Sequence, residues 1–171
     1  MKCAVLCNGP SRTMYQPSPE YAFVMGCNIP WTKVDATVVL DTTMIEYWYN
    51  NPDAITVPTY IGTKGWEKVK QLRAEEFFNK YLIEVIKVGK ELDSSGHNAV
   101  KCMIRRGFTE IDVYGCDSRF KRVVESYTSN FVEQTVPSNF RFTVEGWNRM
   151  WNNLIKTNPH VTINFIKGNH E

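Results

Sequence analysis

The sequence predicts an α/β fold, a three-layer sandwich around a mostly parallel, Rossmann-like sheet, with residues 1–171 as a single domain. Three observations carry this expectation. Short apolar runs bounded by turn residues alternate with segments of helical periodicity along the chain. The first run is apolar almost throughout, as a strand covered on both faces requires. Several runs end in asparagine, glycine or aspartate, which turn the chain at strand ends.

Composition fits a globular chain. The 171 residues are 43% hydrophobic, 22% charged and 13% aromatic, which excludes a disordered or collagen-like protein. A chain of this length buries roughly 70% of its unfolded surface and needs no staple to fold. Twenty basic and 18 acidic residues leave a formal charge of +2, so a strongly basic nucleic-acid binder is not indicated. No run is long and apolar enough for a membrane span, and Cys3 to Cys7 is too short for a signal-peptide core. The five cysteines show no C-x-x-C spacing and lie in or beside apolar runs. They read as buried reduced thiols in a cytoplasmic protein without a zinc site.

Strands are expected over residues 2–7, 21–27, 36–41, 54–59, 82–88, 110–115 and 160–166, with Pro58 marking an edge or a strand end. A short helix follows Asp41, capped by Thr42 or Thr43, and runs to about Asn50. Trp66, Val69, Leu72 and Phe77 place an amphipathic helix over 65–80. Ser94-Ser95-Gly96 opens a helix that runs through Arg106 and is closed by Gly107, and 145–157 forms a last helix. Residues 117–144 combine basic and aromatic side chains without clear periodicity, and read as a lid or a packing arm.

In open parallel sheets ligands bind beyond the carboxyl ends of the strands. Four such ends carry suitable residues: Asn8-Gly9-Pro10-Ser11, Cys27-Asn28, Asp41 and Gly115-Cys116-Asp117. The helix start Ser94-Ser95-Gly96-His97 joins them, because a helix N-terminus offers free N–H groups to an anion. Gly9 admits a phosphate close to the backbone, and Asn8 brings both donor and acceptor. Each signal has a structural alternative: a turn for Asn8 to Ser11, a helix cap for Asp41 and Ser94 or Ser95, and a solvent-facing first-turn residue for His97. Arg12, Arg119 or Arg122 would neutralise a leaving phosphate, or 119–122 is a solvated basic surface. Gly168-Asn169-His170-Glu171 imitates a metallophosphatase motif, but no D-x-H ends an earlier strand, so no metal site is assigned.

Cys7-Asn8-Gly9-Pro10-Ser11 resembles the G-N-G-P-S loop that opens bacterial sialyltransferases, with Cys7 in place of the first glycine. Gly26-Cys27-Asn28 is similar to the end of that family's second strand. Residues 95–117 resemble its S-G-x-x-x-A … G-x-D block, shared with flagellin-modifying glycosyltransferase-like proteins and archaeal pterin diphosphokinases. The resemblance implies a nucleotide-sugar donor, UDP- or CMP-linked, held by Asn8, Gly9, Pro10, Ser11, Asn28, Ser95 and Gly96, with Arg12 beside them. The sialyltransferases carry a histidine base in the lid, and 118–144 contains no histidine. Asp41, Asp117 and His97 are therefore the candidate bases. The expected activity is a small glycosyltransferase, and the alternatives are a non-catalytic nucleotide-binding protein or an Mg²⁺-dependent pterin-type diphosphokinase. The compact chain also resembles accessory proteins of large bacteriophages, which makes hydroxymethylated DNA an acceptor beside a saccharide, and leaves room for a homo-oligomer. DNA would meet Lys64, Lys68, Lys70 and Arg73, or Arg105, Arg106, Arg119, Lys121 and Arg122. Tyr127, Phe131, Phe140 and Phe142 would stack on a sugar or base, or pack on the sheet.

Overall fold

The computed structural model describes residues 1–88, 94–120 and 140–169, the last segment from residue 144 onward for its side chains. Its strands are β1 (Lys2–Leu6), β2 (Tyr21–Cys27), β3 (Ala36–Val39), β4 (Thr59–Gly62), β5 (Leu82–Ile86), β6 (Glu110–Tyr114) and β7 (Thr162–Phe165). Its α-helices are α1 (Thr42–Asn50), α2 (Thr63–Gln71), α3 (Glu75–Asn79), α4 (Ser95–Arg105) and α5 (Phe140–Thr157). The seven strands form one parallel sheet in the order β5-β4-β3-β2-β1-β6-β7. The chain steps outward from β1 to β5, then returns through α4 to lay β6 on the other side of β1. The order reverses only there, which makes the carboxyl edge between β1 and β6 the topological switch point.

Consecutive residues of a strand face opposite layers, and the burial follows. Cys3 and Val5 of β1, Val38 of β3, Tyr60 of β4 and Val113 of β6 pack with Val100 and Met103 of α4 and Trp151 of α5. Their neighbours Val39 and Ile61 face the other way, into Ile45 and Trp48 of α1, Val69 of α2 and Phe78 of α3. On that second face, the β1–β6 half is covered by Tyr15, Val34 and Tyr114 over Ala4 and Leu6. The α/β sandwich expected from the sequence is the observed architecture.

Several boundaries differ from expectation for local reasons. The strand placed at 54–59 begins at Thr59: Pro58 has no N–H to give a ladder, and only its carbonyl serves the sheet, accepting from Thr37 N at 3.0 Å. The single helix at 65–80 is two, because Arg73 enters the left-handed region at φ 53° while Ala74 N bonds back to Val69 O. That break lets Val69 and Phe78 both reach the core around Trp48. Helix α5 starts at Phe140, inside the segment read as a lid, and residues 117–119 form a 3-10 turn. The rest of the lid, with Lys121, Arg122, Tyr127 and Phe131, lies outside the described residues, as do the side chains of Phe140 and Phe142. Helix α4 closes as expected, with Gly107 at φ 92° and Phe108 N bonded to Met103 O. Among the described residues no helix is long and apolar enough to cross a membrane, and all five cysteines are free, Cys7 and Cys116 being only partly buried.

One buried carboxylate joins four strands. Asp112 of β6 accepts from Lys2 Nζ of β1 at 3.2 Å, Tyr21 Oη of β2 at 2.6 Å and Asn164 Nδ2 of β7 at 2.9 Å. Tyr21 Oη, already donating to Asp112, accepts in turn from Tyr114 Oη at 2.6 Å. Burial alone would raise the Asp112 carboxyl, but the bonds from Tyr21, Asn164 and Lys2 and the Lys2 charge outweigh it and hold the group below the usual carboxylate range. A carboxyl with a lowered folded-state pKa stabilises the protein above its unfolded value, about 3.9, and that contribution is lost as pH falls through the folded value. Asp112→Ala should therefore cost about 1–3 kcal/mol at neutral pH, and less as the pH is brought down through the acid range. Urea unfolding of wild type and variant at neutral and acid pH checks both the size and the convergence.

Candidate functional site

The loops that leave β1 and β6 are clasped together at the switch point. Cys7 N donates to Tyr114 O and Gly9 N to Gly115 O, each at 2.8 Å, which continues the ladder past both strands. Pro10 then starts a 3-10 turn, its missing N–H costing nothing at that position. The turn delivers Ser11 to Asp117: Ser11 N donates to the carboxylate at 3.0 Å and 3.2 Å, and Ser11 Oγ donates to it at 3.1 Å. The same Oγ accepts from Gly115 N at 2.9 Å. Ser11 is 2% exposed and Asp117 3%.

Two glycines make this approach feasible. A Cβ on Gly9 would lie 2.5 Å from Gly115 O and closer still to Asp117 Oδ2. A Cβ on Gly115, at φ 75°, would lie 2.5 Å from Cys7 O. The sequence reading gave Gly9 the task of admitting a phosphate. In the structure, the space that a side chain would take at Gly9 is filled by the β6 loop, so its lack of a side chain serves loop-to-loop packing.

Next to this clasp, two asparagines present unmatched acceptors. Asn8, 8% exposed, donates through Nδ2 to Cys27 O at 3.0 Å, while its Oδ1 is buried and has no partner among the described residues. Asn28 sits at φ 60°, a conformation asparagine tolerates better than most residues. Its N–H donates to Val38 O and its carbonyl accepts from Thr37 Oγ1 at 2.7 Å. Its Oδ1 is also buried without a partner. An unmade bond at a buried acceptor costs about 1–3 kcal/mol. These oxygens can be satisfied only by a donor.

Helix α4 begins beside β1, where a Cβ on Gly96 would come 2.8 Å from Cys7 Sγ. Ser95 and Gly96 occupy the first helical positions, whose N–H groups have no intrahelical acceptor. Ser94 is the N-cap of a reciprocal capping box in which its Oγ accepts from His97 N and its own N–H donates to His97 Nδ1 at 3.1 Å. Since Nδ1 accepts, the ring proton is on Nε2, which donates to Trp147 O of α5 at 3.0 Å. The ring is stacked on Trp151 at 4.1 Å and is 1% exposed. The sequence reading of His97 as solvent-facing is corrected here: the ring is buried, both nitrogens are engaged, and the imidazole joins α4 to α5.

Asp41 is the least encumbered of the three expected bases. It is the N-cap residue of α1, taking the place expected of Thr42 or Thr43, but its side chain makes no capping bond and has no ion pair among the described residues. It lies at an accessible helix start, and partial desolvation raises its carboxyl above the usual carboxylate range. Asp117, by contrast, spends its carboxylate on Ser11. The thiols at the same edge are poor nucleophiles. Cys116 is pushed well above the usual thiol value by its contact with Cys7 and by burial.

Arg12 leaves the loop to lie over the Trp31 ring at 5.1 Å. The two basic patches expected from the sequence do not combine. Helix α2, with Lys64, Lys68 and Lys70, packs on the α1 face of the sheet, and α4, with Arg105 and Arg106, on the other. Lys68 pairs with Glu46 at 2.6 Å and Arg105 with Glu84 at 3.3 Å, while Arg106 lies over Phe23 and bonds Tyr60 Oη. Sequence reasoning missed Asn148 and Asn152, which hold Arg119 from α5. Their spacing of four on a helical segment was the available signal.

No family model, no curated protein and no solved structure matches this chain. The site therefore rests on its geometry. Because Gly9 faces the β6 loop, Gly9→Val should destabilise the free protein by overpacking, about 1–3 kcal/mol or more, before any ligand is added. A thermal melt of the unliganded variant that matches wild type would show that the clasp is looser than these distances state.

Proposed function

We propose that the chain binds a nucleotide at the carboxyl edge of the sheet around β1, over the ends of β1 and β2, and transfers the sugar of a nucleotide-activated donor to an acceptor hydroxyl. The observation that carries this reading is the pair of buried oxygens, Asn8 Oδ1 and Asn28 Oδ1, at adjacent strand ends and without a partner among the described residues. A phosphate has no hydrogen to offer them at neutral pH. Ribose hydroxyls and the amino group of a base such as cytosine do. The N–H groups of Ser95 and Gly96 at the start of α4 suit the phosphate, with Arg12 close in sequence to the Ser11 clasp. Asp41 is assigned as the base: it is accessible, its side chain has no bond among the described residues, and its raised carboxyl sits nearer the neutral range where proton acceptance is efficient. Asp117 and Ser11 position the loop.

A non-catalytic nucleotide-binding role is the second reading, favoured by the structural engagement of both His97 and Asp117. A diphosphokinase, which would hold Mg²⁺ through one or two carboxylates together with the substrate phosphates, is a third reading that no particular residue favours. The acceptor, DNA or a saccharide, and the cytoplasmic setting belong to the same proposal.

A thermal-shift series with UDP-, CMP- and GDP-sugars, and with ATP and Mg²⁺, tests it. A cognate nucleotide at 100 times its Kd should stabilise the fold by about 2.7 kcal/mol, and Asn8→Ala should remove most of that shift. Asp41→Asn should keep the shift and lower transfer or donor hydrolysis by about 10²–10⁴-fold. Stabilisation without turnover in wild type selects the binding role, and no stabilisation by any nucleotide overturns both readings.

A further inference from the structure

Beyond the 3-10 turn at Asp117–Arg119, a cleft of about 430 Å³ opens between that turn and α5. Its size is that of a small-molecule site. Arg119 lines it and is fixed from several sides. Nη1 is shared among Asn152 Oδ1 at 3.1 Å, Asn148 Oδ1 at 3.2 Å and Asn148 O at 3.5 Å, and the guanidinium lies over the Phe165 ring at 4.6 Å. Asn148 is itself held, its Nδ2 donating to Ser118 O at 3.1 Å. Every one of these partners is neutral. Among the described residues no carboxylate lies within ion-pair distance of Arg119, and burial lowers its pKa from the usual guanidinium value, an effect that the neighbouring Cys116 only partly offsets.

A partly buried charge is ordinarily paired. Here the Nε–Nη2 edge has no acceptor among the described residues, and that edge grips carboxylate and phosphate through two parallel N–H bonds. Arg149 adds a second guanidinium to the cleft, against one carboxylate, Glu145. We propose that this cleft is an anion subsite in which Arg119, pre-aligned by Asn148 and Asn152, binds a phosphate or carboxylate group of a small molecule. It goes beyond the nucleotide reading and does not depend on it, since no residue is shared with the Asn8–Asn28 pair.

Calorimetric titration with inorganic pyrophosphate and with succinate distinguishes the two anion sources: the group that is bound more tightly names the natural ligand's anion. Saturable one-to-one binding is expected in wild type, and Arg119→Gln should weaken it about 10- to 100-fold. Arg119→Lys, which keeps the charge and loses the fork, should also weaken it. Asn8→Ala should leave it unchanged, so loss of anion binding in that variant moves the anion to the Asn8–Asn28 site and overturns the subsite. Should the Arg119 variants fail to fold, labelling of wild-type Arg119 by phenylglyoxal, mapped by peptide mass spectrometry, gives the same decision. Protection by either anion supports the subsite. Binding of neither anion, equal affinity in Arg119→Gln, or labelling that ignores the anions overturns it.

Discussion

The clasp between Ser11 and Asp117 is the constraint on which the ligand edge of this protein depends. Loops leaving neighbouring strands at a switch point part company, one going to each side of the sheet. Here they are bound for several residues beyond the strands, first by backbone bonds from Cys7 and Gly9, then by Ser11. A single hydroxyl donates to Asp117 and accepts from Gly115 N, so the carboxylate, the serine and the glycine backbone lock one another. The absence of side chains at Gly9 and Gly115 sets the spacing. With the loop fixed, Asn8 is held over the end of β2, where its amide reaches Cys27 O and its oxygen is left over.

Around that edge the polar groups divide into two kinds. Asp112, Asp117 and His97 are buried and bonded by protein groups, and each ties separate parts of the fold: four strands, two loops and two helices. Among the described residues the buried oxygens of Asn8 and Asn28 have no partner, and the guanidinium of Arg119 is held by neutral groups alone. Protein interiors rarely tolerate the second kind without a ligand or water to complete them. A rigid frame of satisfied groups carrying a few incomplete ones is the arrangement a pre-organised binding site requires. The incomplete groups also differ in sign. The asparagine oxygens call for donors, and Arg119 calls for an acceptor bearing negative charge.

Much of the secondary structure was legible because its signals are local. The apolar run at 2–7, the β-branched run at 36–41 and the serine–glycine start and glycine end of α4 each satisfy a short-range rule, and each element appears where that rule places it. The misplacements have separate causes, a core contact that overrides the local pattern at 65–80 and the missing N–H of Pro58 at 54–59. Residues 65–80 have helical periodicity throughout, but the core around Trp48 is reached from two helices, so Arg73 takes a left-handed turn. Ile55 reads as part of a strand and is instead buried ahead of one, against the α1 layer.

For the site, the sequence by itself determined which residues stand at the carboxyl ends of the strands, because turn chemistry and strand ends are written within a few positions. It determined the α/β class for the same reason. What those residues touch follows from the three-dimensional arrangement alone. In one dimension Asp41 and Asp117 are the candidate bases, with His97 third. In three, Asp117 meets a serine 106 positions away and His97 a carbonyl 50 positions away, while Asp41 meets nothing among the described residues. The same holds for Gly9, whose missing side chain answers to Gly115 and Asp117. A hydrogen bond depends on a few ångströms of separation, and distance along the chain carries no record of that separation once the sheet has reordered its strands.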